Sequence, residues 1–306
     1  MEYAVLGRTG MKVSRLGLGG APLAGDFGTA DPTEVQRLIH EALDVGINFI
    51  DTAPKYGLGE SEKRIGQALE GRRDQVILAS KAARSDQAYD YATTYRSVES
   101  SLQRLQTDWI DLLQLHDVET QSYDQIMNEA VPALLRLKEE GKIRYLGITA
   151  RDLPLLIRYM QTGVFDTIQF YTRYMLIDHT AKDEVIPLAK ELNIGVINGS
   201  VLGMGILADT PAPFLREEVK SDALERMEQL SFLRKTEPKG LIEPGMRFSL
   251  GNPDIQVTLT GAESRDVLRM NVAFCDGEGL SQEEVNKLYE LFDGRPLFSN
   301  LKRKVN

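Results

Sequence analysis

Short apolar runs alternate with amphipathic stretches along most of the chain, a pattern that predicts strands followed by helices. The beginning differs: 2–6 and 12–16 flank Gly7-Arg8-Thr9-Gly10, which predicts a β-hairpin. Apolar runs then fall at 16–20, 47–50, 76–79, 109–115, 143–148, 167–170, 194–197 and 257–260. The first helix is expected to start at Asp31-Pro32-Thr33-Glu34, with Asp31 as N-cap, Pro32 at the first position and Glu34 as capping-box partner, and to end at Gly46. Further helical patterns occupy 62–70, 94–105, 123–140, 153–160, 182–192 and 265–274. Strands of this buried type imply a parallel sheet covered by helices. Eight such units in one domain-sized chain favour an α/β fold closed as a (β/α)8 TIM barrel, a single domain over 1–306. An open doubly wound sheet is the alternative. Leu16-Gly17-Leu18-Gly19-Gly20 is rich in glycine but lacks the G-x-G-x-x-G spacing of a dinucleotide fingerprint.

The rhythm breaks at 203–245, which contains Pro211, Pro213, Pro238 and Pro244 around a charged stretch, 214–235, that reads as an extra helix. Connections of this length usually serve a function, such as covering a site; a disordered surface insertion is the other reading. A last amphipathic helix is expected at 281–293.

Of the 306 residues, 42% are hydrophobic, enough for a large core, and the formal net charge is -9. An acidic chain repels phosphate backbones, so nucleic acid is not an expected partner. Cys275 is the only cysteine, so no intrachain disulfide forms. The first residues lack the apolar segment of a signal peptide, and no run approaches the about 18 apolar residues of a membrane span. A cytoplasmic protein acting on small molecules, with no membrane partner, is expected.

Barrel enzymes carry their chemistry at the C-terminal ends of the strands. There the pattern places Asp51 after the second apolar run, Lys81 after the third and His116 after the fourth, with Tyr56 in the loop beyond Asp51. Each alone has a structural explanation, as a helix cap or a packed histidine. Together on one rim they suggest a site. A tyrosine near its ordinary pKa of about 10 is a poor acid–base group at neutral pH. A cation against its oxygen favours phenolate, so Lys81 is expected to lower the pKa of Tyr56. Asp51 can hold Lys81 by a charge-assisted bond, and His116 can align a substrate oxygen. This is acid–base chemistry without a metal. His40, His116 and His179 are widely spaced in the sequence, and no metal site is predicted.

These residues lie in longer segments that resemble the aldo-keto reductases. Gly46-Ile47-Asn48-Phe49-Ile50-Asp51-Thr52-Ala53-Pro54-Lys55-Tyr56-Gly57 and Gly59-Glu60-Ser61-Glu62 are similar to the family signature, and Ser80-Lys81 and Leu115-His116-Asp117 follow in the family's order. The resemblance covers nearly the whole chain. It implies a barrel that binds NAD(P)(H) across the strand ends, with Asp51, Tyr56, Lys81 and His116 as catalytic residues. Gly147-Ile148-Thr149 and Ile168-Gln169-Phe170 resemble the segments that hold the nicotinamide carboxamide, which makes Thr149 and Gln169 cofactor residues. Ser200, Leu202 and Gly203 follow the seventh strand and are implied as further contacts; where many members have a tyrosine, this stretch reads Asn198-Gly199-Ser200. Thr260-Gly261-Ala262 and Asn271 resemble the part that grips the adenosine phosphates, which adds Gly261, Ala262, Glu263, Arg265 and Asn271.

Within the family, Gly20-Ala21-Pro22-Leu23, His116-Asp117-Val118-Glu119, Met204-Gly205-Ile206-Leu207 and Phe248-Ser249-Leu250 resemble the galactose/fucose dehydrogenase-like branch. That branch implies oxidation of an aldose at C1 to a lactone. An aldehyde or ketone reductase using NADPH is the alternative, and a cofactor-sensing subunit like the potassium-channel β-subunits is an alternative of another class. Glu263 would repel a 2′-phosphate and could accept from a ribose 2′-hydroxyl, so a modest NAD preference is expected. Phe27, Tyr89 and Tyr171 are aromatic candidates for a sugar platform, with core packing the competing use. Trp109 begins a strand and belongs to the opposite rim.

Overall fold

In the computed structural model, residues 1–25, 31–84, 86–237 and 240–297 are described. Strands β1 (Tyr3–Val5) and β2 (Lys12–Ser14) form the expected antiparallel hairpin around the turn Gly7–Thr9. Next come β3 (Leu16–Gly19), β4 (Phe49–Asp51), β5 (Ile77–Ala82), β6 (Ile110–Leu115), β7 (Ile143–Thr149), β8 (Thr167–Tyr171), β9 (Gly195–Gly199) and β10 (Val257–Thr260). These eight are parallel and closed, in the order β10-β3-β4-β5-β6-β7-β8-β9. Pairing of Thr258 with Asn198 joins β10 to β9 and excludes the open sheet.

Side chains alternate between the two faces of a strand, and that alternation sorts the barrel interior. Phe49, Ala79, Leu112, Ile197, Val257 and Leu259 form one buried apolar cluster with Leu6 and Val13 of the hairpin. Two residues further along their strands, Phe49, Ala79 and Leu112 are followed by Asp51, Lys81 and Gln114. The interior is therefore apolar toward the strand N-termini and polar toward their C-termini. The hairpin stops the apolar end. A Cβ on Gly195 would come within 2.7 Å of the Leu6 side chain. Arg8 donates from its backbone to Asn193 O (2.7 Å) and from its guanidinium to Phe165 O (2.6 Å) and Gly163 O (2.9 Å). The opposite faces of the strands pack with the surrounding helices in the larger apolar core.

Several element boundaries move for identifiable reasons. Asp31 caps the helix Pro32–Asp44 by accepting from Thr33 N and Glu34 N. Glu34, the expected box partner, turns instead to Arg37 at 2.6 Å. A capping box does form at Ser281 and Glu284, at the start of the helix Gln282–Phe292. The expected helix at 123–140 contains a π turn, Ile126–Ala130, just ahead of Pro132, which has no N–H to continue the regular ladder. The pattern at 182–192 splits into a 3-10 turn, Thr180–Lys182, and the helix Val185–Glu191. In the region 203–245 the extra helix is shorter than expected, Glu217–Glu228, and a second helix, Ile242–Leu250, leads into β10.

Candidate active site

β4, β5 and β6 are neighbours, and their register brings three polar side chains to one depth. Asp51 pairs with Ala79, and Lys81 with Gln114. Lys81 is 1% exposed. Its ammonium donates to Asp51 Oδ2 (2.6 Å), the Thr52 carbonyl (3.0 Å) and the Tyr56 hydroxyl (3.3 Å). Gln114 donates to the other oxygen of Asp51 at 2.8 Å. The His116 ring stands edge-on to Tyr56, with centroids 6.1 Å apart. The four residues expected at the strand ends thus come together.

Burial dominates their electrostatics. It pushes the Asp51 carboxyl upward, against the pull of Lys81, Gln114 and Gln169. Burial disfavours the Lys81 ammonium too, but its interactions with Asp51 and Tyr56 outweigh it and raise the Lys81 pKa to about 12. For Tyr56 the sequence expectation is reversed. Lys81 does pull its pKa down, but desolvation pushes it up further and Asp51 and Asp117 add to the rise. Tyr56 is a neutral phenol held against a cation.

A second polar group surrounds His116. Tyr89 is buried in the core and donates its hydroxyl to the His116 carbonyl, so it supports the strand end and is no exposed platform. Asp117 has left-handed backbone (φ 46°), and its N–H donates to Thr149 Oγ1 at 2.9 Å. Its carboxylate accepts from Tyr171 Oη at 3.0 Å and lies 3.6 Å from Lys55. The guanidiniums of Arg73 and Arg144 lie over the Trp109 ring, 4.5 and 5.1 Å from its centre. Phe27 lies outside the described residues.

The signature around Glu62 braces the site from behind. Ser61 donates to Gly20 O and bonds Thr52 Oγ1, both at 2.8 Å. Glu62, fully buried, accepts from Ser80 (2.6 Å) and Arg104 (2.7 Å). Gln114 and Arg104 did not stand out in the sequence, and Asp117 did so only as part of the segments around His116. Strand parity was the available signal for Gln114, two residues beyond Leu112 on the same face.

The remaining candidates lie along the same rim. Gln169 pairs with Thr149 across β8 and β7. Its Oε1 is buried with no hydrogen-bond partner among the described residues, as is Oδ1 of Asn271. Asn271 uses its amide nitrogen on Thr260 Oγ1 at 3.2 Å. Two such acceptors fit a ligand that brings donor groups at two separated points, as the carboxamide of nicotinamide and the amine of adenine do. Ser200 is left-handed (φ 53°), and its carbonyl accepts from Gly203 N at 2.8 Å. The Leu202 carbonyl accepts from Leu207 N at 3.1 Å. Gly261 meets Pro22 so closely that a Cβ there would lie 2.6 Å from the proline ring. Ala262 is buried and Glu263 exposed. Ser264 caps the helix Arg265–Ala273, and the Arg265 guanidinium lies 3.6 Å from Glu41.

The aldo/keto reductase family profile matches residues 15–293. L-galactose dehydrogenase of Arabidopsis thaliana is 34% identical over 96% of this chain and 95% of its own length. D-threo-aldose 1-dehydrogenase of a Pseudomonas species is 31% identical over 66% of this chain and 69% of its own length. Among solved structures, an aldo-keto reductase from Bacillus halodurans in its holo form superposes with a TM-score of 0.80 at 29% identity, covering 95% of this chain and 96% of that one. A closed barrel with Asp51, Tyr56, Lys81 and His116 gathered at one rim accords with these likenesses, and the chain belongs to the aldo/keto reductase family.

Proposed function

We propose that this oxidoreductase oxidises an aldose of the galactose or fucose type at C1 to a lactone, using NAD(P)+ with a modest preference for NAD. The observation that carries the reaction class is the Tyr56 phenol held by buried Lys81 beside the His116 ring. The substrate class is supported by likeness to two proteins named as dehydrogenases of aldoses.

In this reading the bound nicotinamide cofactor supplies the hydride acceptor. Tyr56 takes the proton from the C1 hydroxyl as that carbon becomes a carbonyl. It does so as the phenolate, which Lys81 stabilises by its charge, and is left as the neutral phenol. Asp51, Gln114 and the Thr52 carbonyl keep the ammonium in place. His116 hydrogen-bonds the substrate oxygen and orients it. Gln169 and Asn271 would hold the two ends of the cofactor through their buried acceptors. Thr149, Ser200, Leu202, Gly203, Gly261, Ala262, Glu263 and Arg265 complete the proposed cofactor surface. Glu263 is exposed just before the helix Arg265–Ala273 and favours a ribose hydroxyl over a phosphate.

The test is cofactor reduction with NAD+ and NADP+ over aldoses, polyols and aromatic alcohols. The expected result is fastest turnover with an aldose and NAD+, with a lactone as product. A flat response to every alcohol would replace this reading with that of a carbonyl reductase. One observation favours that second reading: burial keeps Tyr56 protonated, the state needed to donate to a carbonyl.

A further inference from the structure

Two arginines follow the segment proposed for the adenosine end of the cofactor, and carboxylates already occupy both. Arg265 is the first residue of the helix Arg265–Ala273. Its guanidinium lies 3.6 Å from Glu41 and 3.7 Å from Glu34. Arg269, one turn further on, donates to both oxygens of Glu41, at 2.5 Å through Nε and 3.2 Å through Nη2. It also contacts Asp266 at 3.3 Å. Glu34 and Glu41 belong to the helix Pro32–Asp44, which packs against Arg265–Ala273. The Glu41 side chain is only 19% exposed, against 42% and 57% for Arg265 and Arg269. The acid is the anchored partner and the arginines are the outer ones.

We propose that Glu41, assisted by Glu34, is a specificity-determining residue that holds Arg265 and Arg269 away from a 2′-phosphate. It thereby sets the preference for the cofactor that lacks one. The inference rests on the NAD reading above and supplies its physical basis. A guanidinium fork binds a carboxylate and a phosphate with the same bidentate geometry, so Glu41 competes directly for the groups a 2′-phosphate needs. Around the helix start, Glu34, Glu41 and Asp266 contact Arg265 and Arg269, Glu34 is shared with Arg37, and Glu263 is exposed just before the helix. A phosphate entering there meets cations already engaged by carboxylates, beside the exposed Glu263.

The experiment is calorimetric titration of NAD+ and NADP+ into the full chain, which reads binding without turnover. In Glu41→Gln, and more so in Glu34→Gln/Glu41→Gln, the Kd for NADP+ should fall by about tenfold, while that for NAD+ stays within about twofold. Adding Arg265→Ala to Glu41→Gln should remove most of the gain. In the unsubstituted protein, more salt should narrow the gap between the two cofactors by screening repulsion. An unchanged NADP+ affinity in the variants, equal changes for both cofactors, or a gap that widens with salt would overturn the proposal. If the unsubstituted protein already binds NADP+ more tightly, the NAD reading fails, and this inference with it.

Discussion

Lys81 and Asp51 are an ion pair removed from water, and such a pair is more costly to break than to replace. Lys81→Met strands the Asp51 carboxylate, whose burial already raises its pKa. The expected loss of stability at neutral pH is about 3–5 kcal/mol, measured by urea unfolding. A carboxyl whose folded pKa lies above its unfolded value contributes stability that is complete below the unfolded pKa and lost as pH rises through the folded one. The gap between Lys81→Met and the unsubstituted protein should therefore narrow toward acid, and Asp51→Asn/Lys81→Met should recover much of the loss without recovering turnover. A gap independent of pH would contradict a stranded carboxylate. Tyr56 gives a kinetic counterpart. Because burial raises its pKa despite Lys81, kcat/KM for oxidation should climb with pH and reach no plateau below about pH 10. The reductive direction, which needs the phenol, should stay flat through the neutral range. Tyr56→Phe should abolish both while cofactor binding persists. That these residues meet at one rim was legible in the sequence because strand ends and residue types mark them. The direction of the Tyr56 shift was not, since desolvation depends on the many distant residues that bury the ring.

The elements hold these side chains at working distance, and the glycines show where one element leaves no room for another. The helix Glu60–Ala68 lies against the end of the helix Tyr91–Leu105 at Gly66. A Cβ there would sit 2.6 Å from the Leu105 carbonyl carbon and 2.7 Å from the Arg104 carbonyl oxygen, and backbone cannot swing aside as a side chain does. Gly66→Ala should cost about 1–3 kcal/mol. It should also slow turnover, because the same helix carries Glu62, which ties Arg104 to Ser80 beside Lys81. Thermal unfolding and kcat measured on one preparation check both, and a stable, fully active variant would show that the two helices adjust freely. Strands were legible because those buried on both faces read as unbroken apolar runs. Helix edges were less so. The π turn before Pro132 and the break between Thr180–Lys182 and Val185–Glu191 depend on local backbone geometry that periodicity does not encode. Gln114 was missed, and the contact of Asp117 was not legible, because their partners, Asp51 and Tyr171, come from other strands, and barrel closure alone brings them near.

At the scale of the molecule, the barrel divides its interior between stability and chemistry. Leu6 lies at the apolar end with Phe49, Ala79, Leu112 and Ile197, and Lys81 lies at the other with Asp51 and Gln114. Leu6→Ala removes buried side-chain volume from a close-packed stopper, so it should cost about 2–5 kcal/mol, with the larger values if the hairpin cannot settle into the space. Its effect on kcat should be small, because the displaced contacts end where the polar layer begins. Lys81→Met makes the opposite comparison, a change in the polar layer that, on the proposed function, should alter both stability and turnover. Measuring the two variants side by side, by urea unfolding and steady-state kinetics, tests whether the ends are independent. If Leu6→Ala lowers kcat in proportion to its loss of stability, the apolar layer is transmitting strain to Lys81 through Ala79 and Leu112. The stopper would then be part of what holds the Tyr56–Lys81 contact at its length.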